Sequence, residues 1–331
     1  MKHYFLAAGL LACSSMLLAD SADDFSQKTW TTWNGKGTVV KTSINKEEGS
    51  AAKGALQLVF PKGTSGGSLK NFPVEPNSFY TAEIMVKSAD KDASFELTAH
   101  DFGADNKYRK IMTRKSFPAS TEWKKITLNI LTGSNTKFVR ILPNVKTQPN
   151  IPAFFDDFKL TKVESLDEKD AFDFANEWSM WKPAAAKAKF SIDKNEGKSA
   201  VPAAKIEILP GNPAKGSATL MRNISILPGK TYTMSVWVKA KGIAPQTKIS
   251  LGFQSKDENL KYLGLRIPST FITAENCTEW KQIVLTRKII PSGNWAKVRN
   301  ILITLGVGGS TQPGVVLFDD FEIFTEETEE E

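Results

Sequence analysis

The sequence predicts an all-β protein made of two tandem antiparallel β-sandwich domains of jelly-roll type. Three observations carry this reading: an ordered internal repeat, strands that alternate with a period of two, and turn signals at short intervals.

The repeat comes first. Trp30-Thr-Thr-Trp33 recurs as Trp178-Ser-Met-Trp181, and Ser43-Ile-Asn-Lys-Glu-Glu-Gly49 as Ser191-Ile-Asp-Lys-Asn-Glu-Gly197. Phe79-Tyr-Thr-Ala-Glu-Ile-Met-Val-Lys87 returns as Thr231-Tyr-Thr-Met-Ser-Val-Trp-Val-Lys239. Thr121-Glu-Trp-Lys-Lys-Ile-Thr-Leu128 returns as Thr278-Glu-Trp-Lys-Gln-Ile-Val-Leu285, and Phe155-Asp-Asp-Phe-Lys-Leu160 as Phe318-Asp-Asp-Phe-Glu-Ile323. The order is the same in both halves. The offset drifts from 148 at Trp33 and Trp181 to 163 at Asp156 and Asp319, so the second copy has slightly longer loops. Loop length is cheap in closure entropy. A period this long means two domains, not a solenoid.

Within each copy the alternation is that of half-buried strands. Tyr80, Ala82, Ile84 and Val86 alternate with Thr81, Glu83 and Met85, while Tyr232, Met234, Val236 and Val238 alternate with Thr233, Ser235 and Trp237. Ile249, Leu251 and Phe253 alternate with Ser250, Gly252 and Gln254. Turn signals such as Pro61-Lys-Gly63, Pro228-Gly229 and Pro291-Ser-Gly293 separate the runs, and no long helical pattern intervenes.

The predicted organisation is a signal peptide at 1–19, a sandwich at 20–163, a second at 167–325 and an acidic tail at 326–331. The leader has a short basic start, then an apolar run from Phe5 to Ala19, too short to span a membrane permanently. Leu10-Leu11-Ala12-Cys13 is an alternative, a lipobox that would lipidate Cys13. Either reading places the chain outside a bacterial cytoplasm, secreted or at the cell envelope. Cys277 is then the one mature cysteine, which excludes an intramolecular disulfide; we read it as a small buried residue beside a turn. The net charge of +7 is mild and scattered, with no nucleic-acid motif and no integral membrane span.

Taken together, the N-terminal aromatic segment, the Glu-Gly turn, the Tyr-x-Met-Ser-Val-Trp-Val-Lys strand, the Thr-Glu-Trp-Lys corner and the closing Phe-Asp-Asp-Phe resemble carbohydrate-binding modules of the cellulase- and xylanase-associated type. These modules fall within the galactose-binding-like jelly-roll superfamily. The resemblance implies ligands on one sheet face or in edge loops, and a structural calcium near the first and last strands. The matching calcium positions are Asp156 and Asp157 in the first copy and Asp319 and Asp320 in the second. The chain departs from the family where a glutamate should follow the first strand's aromatic: it has Phe25-Ser26 and Phe172-Asp173.

A sugar site needs flat apolar faces with polar groups beside them. Trp237 fits, because it alternates out of phase with the core set. Ser250, Gln254, Tyr262 and Arg266 read as its outward neighbours, and Glu96, Thr98, His100, Tyr108 and Arg109 as the outward set of the first copy. The alternative for Trp237 is packing beneath a loop or against the other domain. Trp123 and Trp280 read as fold residues, Trp33 and Trp181 as seals of the sandwich, and Trp30, Trp178 and Trp295 as covers in preference to loop platforms.

Enzyme readings find little support. The mature chain has one histidine, His100, and shows no nucleophile elbow, His/Cys metal spacing or phosphate loop. The expected function is therefore non-catalytic binding of a polysaccharide or glycan. The alternative is a structural or adhesive surface protein that uses the same sandwiches for protein contacts.

Overall fold

The computed structural model describes residues 21–23, 25, 29–52, 54–103, 105–170, 178–199, 202–265 and 268–326. The leader, Arg266 and the tail beyond Glu326 lie outside the described residues. The first domain contains β1 (Ser21–Asp23), β2 (Thr31–Asn34), β3 (Val39–Asn45), β4 (Ala55–Lys62), β5 (Ser65–Pro73) and β6 (Phe79–Ser88). It is completed by β7 (Ser94–Gly103), β8 (Tyr108–Pro118), β9 (Lys124–Leu131), β10 (Thr136–Lys146) and β11 (Ala153–Val163). The second contains β12 (Asp167–Asp170), β13 (Ser179–Trp181), β14 (Ala188–Asp193), β15 (Ala203–Ile208), β16 (Ala218–Ser225) and β17 (Thr231–Lys241). It is completed by β18 (Lys248–Lys256), β19 (Thr270–Thr273), β20 (Lys281–Lys288), β21 (Asn300–Val307) and β22 (Gly314–Glu326).

The two domains have one topology. A front sheet runs β2-β5-β10-β7-β8 in the first and β13-β16-β21-β18-β19 in the second. A back sheet runs β3-β4-β11-β6-β9 and β14-β15-β22-β17-β20, with β1 added to β11 and β12 to β22. Pairing is antiparallel throughout. This is the tandem sandwich that the repeat and the alternation predict.

Each core forms where the period-two pattern places it. Tyr80, Ala82, Ile84 and Val86 face Phe95, Leu97, Ala99, Val139 and Ile141 in one hydrophobic cluster. Tyr232, Met234, Val236 and Val238 meet Ile249, Leu251, Phe253, Ile303 and Leu305 in the other. A buried phenol needs a partner. Tyr80 Oη accepts the Glu75 amide at 2.9 Å; Tyr232 Oη accepts the Leu227 amide at 2.7 Å and donates to the Leu227 carbonyl. Burial pushes the Tyr232 phenol well above its ordinary pKa. Cys277 is buried as expected, and burial pushes its thiol up to about 11.

The segment between the sandwiches is residues 164–166, because β11 runs to Val163 and β12 begins at Asp167. Leu166 is buried, and its amide donates to Thr325 Oγ1 at 3.1 Å. Phe79, Leu131 and Val163 of the first domain lie against the second core, and Asn129 Nδ2 donates to the Asp167 carbonyl at 3.0 Å. The two sandwiches therefore share a packed junction. Among the described residues no helix is long and apolar enough to cross a membrane.

Candidate functional site

The outer face of the second front sheet is a shallow trough. Register places Trp181 opposite Thr219, Thr219 opposite Gly306, Gly306 opposite Ser250, and Ser250 opposite Phe271. At ordinary strand spacing, four steps of about 4.8 Å separate the two outer strands by about 19 Å. The aromatic ends are exposed, Trp181 by 52% and Phe271 by 53%, and Lys248 Nζ lies 4.5 Å from the Phe271 ring centroid. The floor between them is small and polar. A β-carbon at Gly306 would come within 2.7 Å of Ser250 Oγ, so glycine keeps the middle of the trough low. Met221, Thr304, Gln254 and Tyr262 extend the lining, enclosing about 350 Å³. Tyr262 is held by Lys256, whose Nζ lies 4.7 Å from the ring centroid and donates to Asn223 Oδ1 at 2.9 Å.

The first front sheet repeats the frame with other side chains. Trp33 stands opposite Gly67 on the edge strand, as Trp181 stands opposite Thr219. Gly67 is required there, since a β-carbon would meet the Pro143 carbonyl at 2.2 Å and Asn144 Oδ1 at 2.4 Å. Asn144 and Glu96 continue the row, and Glu96 Oε1 accepts from Thr98 Oγ1 at 3.0 Å. Further along, His100 and Tyr108 meet edge to face at 5.2 Å, and Phe102 stacks on Phe138 at 4.8 Å. Burial and the nearby Arg140 charge hold the His100 imidazole below its ordinary pKa, so it stands neutral at pH 7. Arg109 folds back over Gly103 at the end of the β7–β8 hairpin, beside Tyr108.

The structure therefore brings Gln254 and Tyr262 together, and His100 and Tyr108 together, but it separates Trp237 from both pairs. Trp237 lies on β17 in the back sheet, opposite Gln282 and Asp319. It does point away from the core, and Lys198 Nζ covers its ring at 4.5 Å. Alternation fixes the face of a strand but not the sheet to which the strand belongs, so Trp237 and Gln254 share an outward phase yet lie on different sheets.

Trp33 and Trp181 are not seals. Residues three apart on an extended chain point to opposite faces. Trp30 and Trp178 take the core side, 3% and 4% exposed, and their partners three residues on point outward. Trp30 stacks on Phe25 at 5.3 Å and meets Phe158 edge-on. The Trp-x-x-Trp spacing itself carried this signal.

The aspartate pairs are built as clasps. Asp156 Oδ2 accepts the Ser50 amide at 2.7 Å, its Oδ1 accepts the Asp157 amide at 2.9 Å, and Asp157 Oδ2 accepts the Ser50 hydroxyl. In the second copy Asp319 accepts the Lys198 and Asp320 amides, and Asp320 the Ser199 hydroxyl. Asp157 and Asp320 take left-handed backbone at φ 46° and 45°, which turns the second aspartate out of the strand. The repeated Glu-Gly loop is thus tied to the last strand. Both oxygens of each buried aspartate accept an N–H, so each clasp is hydrogen-bonded without an ion. No cluster of three or more acidic, His or Cys residues is placed for a metal among the described residues.

Residues 21–150, most of the first sandwich, match the family of carbohydrate binding domains CBM_4_9. The chain is similar in structure to the CBM22-1–CBM22-2 tandem domain of Paenibacillus barcinonensis Xyn10C, at 14% identity and TM-score 0.35, covering 93% of this chain and 97% of that one. It is similar also to the C-terminal family 22 carbohydrate binding module of Clostridium thermocellum Xyn10B, at 12% identity and TM-score 0.34, covering 44% of this chain and 92% of that one. No curated protein matches the chain. The resemblance to carbohydrate-binding modules read from the repeated motifs stands on the family match.

Proposed function

We propose that the protein is a secreted or envelope-located, non-catalytic carbohydrate-binding protein whose two front sheets each hold a stretch of polysaccharide. One observation carries this reading. In both repeats a solvent-facing tryptophan stands at the same register position, over a floor of small or polar side chains. An exposed indole packs against the C–H face of a pyranose, while Ser250, Gln254 and Thr304, or Asn144 and Glu96, are placed for its hydroxyls. Two weak sites on one packed frame add avidity on a polymer. The test is a glycan array probed with the mature protein and with Trp33→Ala/Trp181→Ala. Retention of specific glycans that the double variant loses supports the proposal; no retained glycan overturns it.

A second reading is a surface protein that contacts other proteins. It is favoured by Trp237, which is covered by Lys198 rather than open. An array without glycan binding would move the assignment there.

A further inference from the structure

The two front sheets share a frame but not a charge pattern. In the first domain Arg140 stands opposite His100, and Arg114 stands opposite Thr98 one step along. Two guanidinium groups and an imidazole thus occupy three adjacent strands. In the second domain the corresponding cross-strand pair is Leu302 and Gln254, both neutral. The second face does carry Lys248 over Phe271 and Lys256 over Tyr262, but the arginine at the Arg140 position belongs to the first copy.

Arg140 is held ready. Its guanidinium lies 4.3 Å from the Phe102 ring centroid, and Phe102 is itself backed by Phe138. Its Nε donates to Asn71 Oδ1 at 2.8 Å, which fixes the plane and leaves the two Nη groups to point elsewhere. Among the described residues no carboxylate pairs with Arg140 or Arg114. Glu96, an acid on the same face, accepts from Thr98 and Asn144, so it is already engaged with uncharged donors. A stacked guanidinium with free Nη hydrogens matches a planar carboxylate better than a hydroxyl.

We infer that the first front sheet recognises a carboxylated polysaccharide, one carrying uronic acid residues, with Arg140 as the carboxylate reader and Trp33 and Tyr108 as the ring platforms. This rests on the front sheets being carbohydrate-binding faces. The second front sheet, with Leu302 where the first has Arg140, takes the neutral part of the same polymer or a neutral glycan.

The test uses the full mature chain and three carboxylated probes: polygalacturonate, alginate and glucuronoxylan. Each is paired with its methyl-esterified or carboxyl-reduced form, and a sulfated galactan serves as an additional anion. At least one carboxylated probe should bind about tenfold or more tightly than its neutral form, the scale of one charge-assisted hydrogen-bonded contact. Raising the salt should narrow that gap, since it is partly electrostatic. Arg140→Gln should abolish it, and Arg114→Gln, at an exposed position, should weaken it without moving the melting temperature. Arg140→Lys keeps the charge and loses the fork, and should recover only part of the gap. Equal binding of charged and neutral forms overturns the inference while leaving glycan binding intact. Equal binding of the sulfated galactan overturns it too, marking the face as unselective for anions. Binding of none of the probes or their neutral forms, on an array that is otherwise empty, removes the carbohydrate reading itself.

Discussion

Trp33 and Trp181 occupy the same place in the two domains, each on a short edge strand opposite a small residue, Gly67 or Thr219. They are 40% and 52% exposed, whereas the tryptophans three residues earlier are buried. Trp33→Ala and Trp181→Ala should leave the melting temperature nearly unchanged, because little core contact is lost. Each should weaken binding at its own domain by about 1–2 kcal/mol, the scale for covering a partly exposed large apolar side chain. Titration of each variant against a retained glycan checks this; a large fall in stability would place the indoles in the core instead.

Trp237 should behave in the opposite way. Its ring lies under Lys198 on the back sheet, so Trp237→Ala removes half-buried packing and a cation–π contact worth about 0.5–1 kcal/mol or more. Denaturant unfolding should show the loss, and glycan affinity should not move. A variant that unfolds like the parent and binds less glycan would return Trp237 to the site.

The Asp319 clasp makes a prediction that a calcium site would not. Asp319→Ala leaves the part-buried amides of Lys198 and Asp320 without their acceptor, a cost of about 1 kcal/mol for each lost hydrogen bond. Proteolysis should then cut first within the released loop near residues 196–199. Millimolar calcium or chelator should leave the melting temperature of the parent protein unmoved. A calcium-dependent rise lost in Asp319→Ala would show that the carboxylate binds the ion.

Two buried carboxylates of the first domain should give opposite pH signatures. The Gln148 amide foremost, with Asp92 and Thr147, holds Asp90 below its ordinary value near 3.8. Its contribution is complete above that value and is lost as pH falls through the lower folded pKa. Burial foremost pushes Asp156 above 3.8, by more than the amides of Ser50 and Asp157 take back. There the folded state holds the proton more tightly, so stability falls as pH rises from 3.8 through the folded pKa and is flat above it. Relative to the parent, Asp90→Asn should lose less stability on acidification below pH 4. Asp156→Asn should lack the gain on acidification toward pH 4. Parallel curves for all three proteins would mean that neither carboxylate is shifted.

The sandwich was legible because burial on one face of a strand writes itself into every second residue. Tyr80 to Val86 and Tyr232 to Val238 needed no further information. The candidate site was legible only in part. His100, Tyr108, Gln254 and Tyr262 could be read as outward, but which outward faces join depends on pairing across distant segments, such as β18 with β21. That is why Trp237 was grouped with residues of another sheet. Trp33 and Trp181 point outward rather than sealing the sandwich because the buried positions three residues earlier, Trp30 and Trp178, take the core side. Arg140 gave no local signal at all: its importance comes from Phe102, Asn71 and His100, which only the folded sheet brings to it.

The domain boundary gives the last prediction. Fragments 20–163 and 167–325 each contain a complete pair of sheets, and each should be soluble and β-rich with a cooperative melt. They should nevertheless melt lower than the tandem chain. The first exposes Phe79, Leu131 and Val163, and the second loses the cover they supply to its core. Leu166 separates the two contributions. Its side chain is buried against the second core and its amide is satisfied by Thr325, yet it lies just outside the second fragment. A fragment starting at Glu164 should therefore exceed one starting at Asp167 by about 1.5–3 kcal/mol, the value of one buried leucine. Leu166→Ser in the longer fragment should erase most of that difference. Equal stability of the two fragments would mean that Leu166 is held by the junction between the domains and not by the second domain itself.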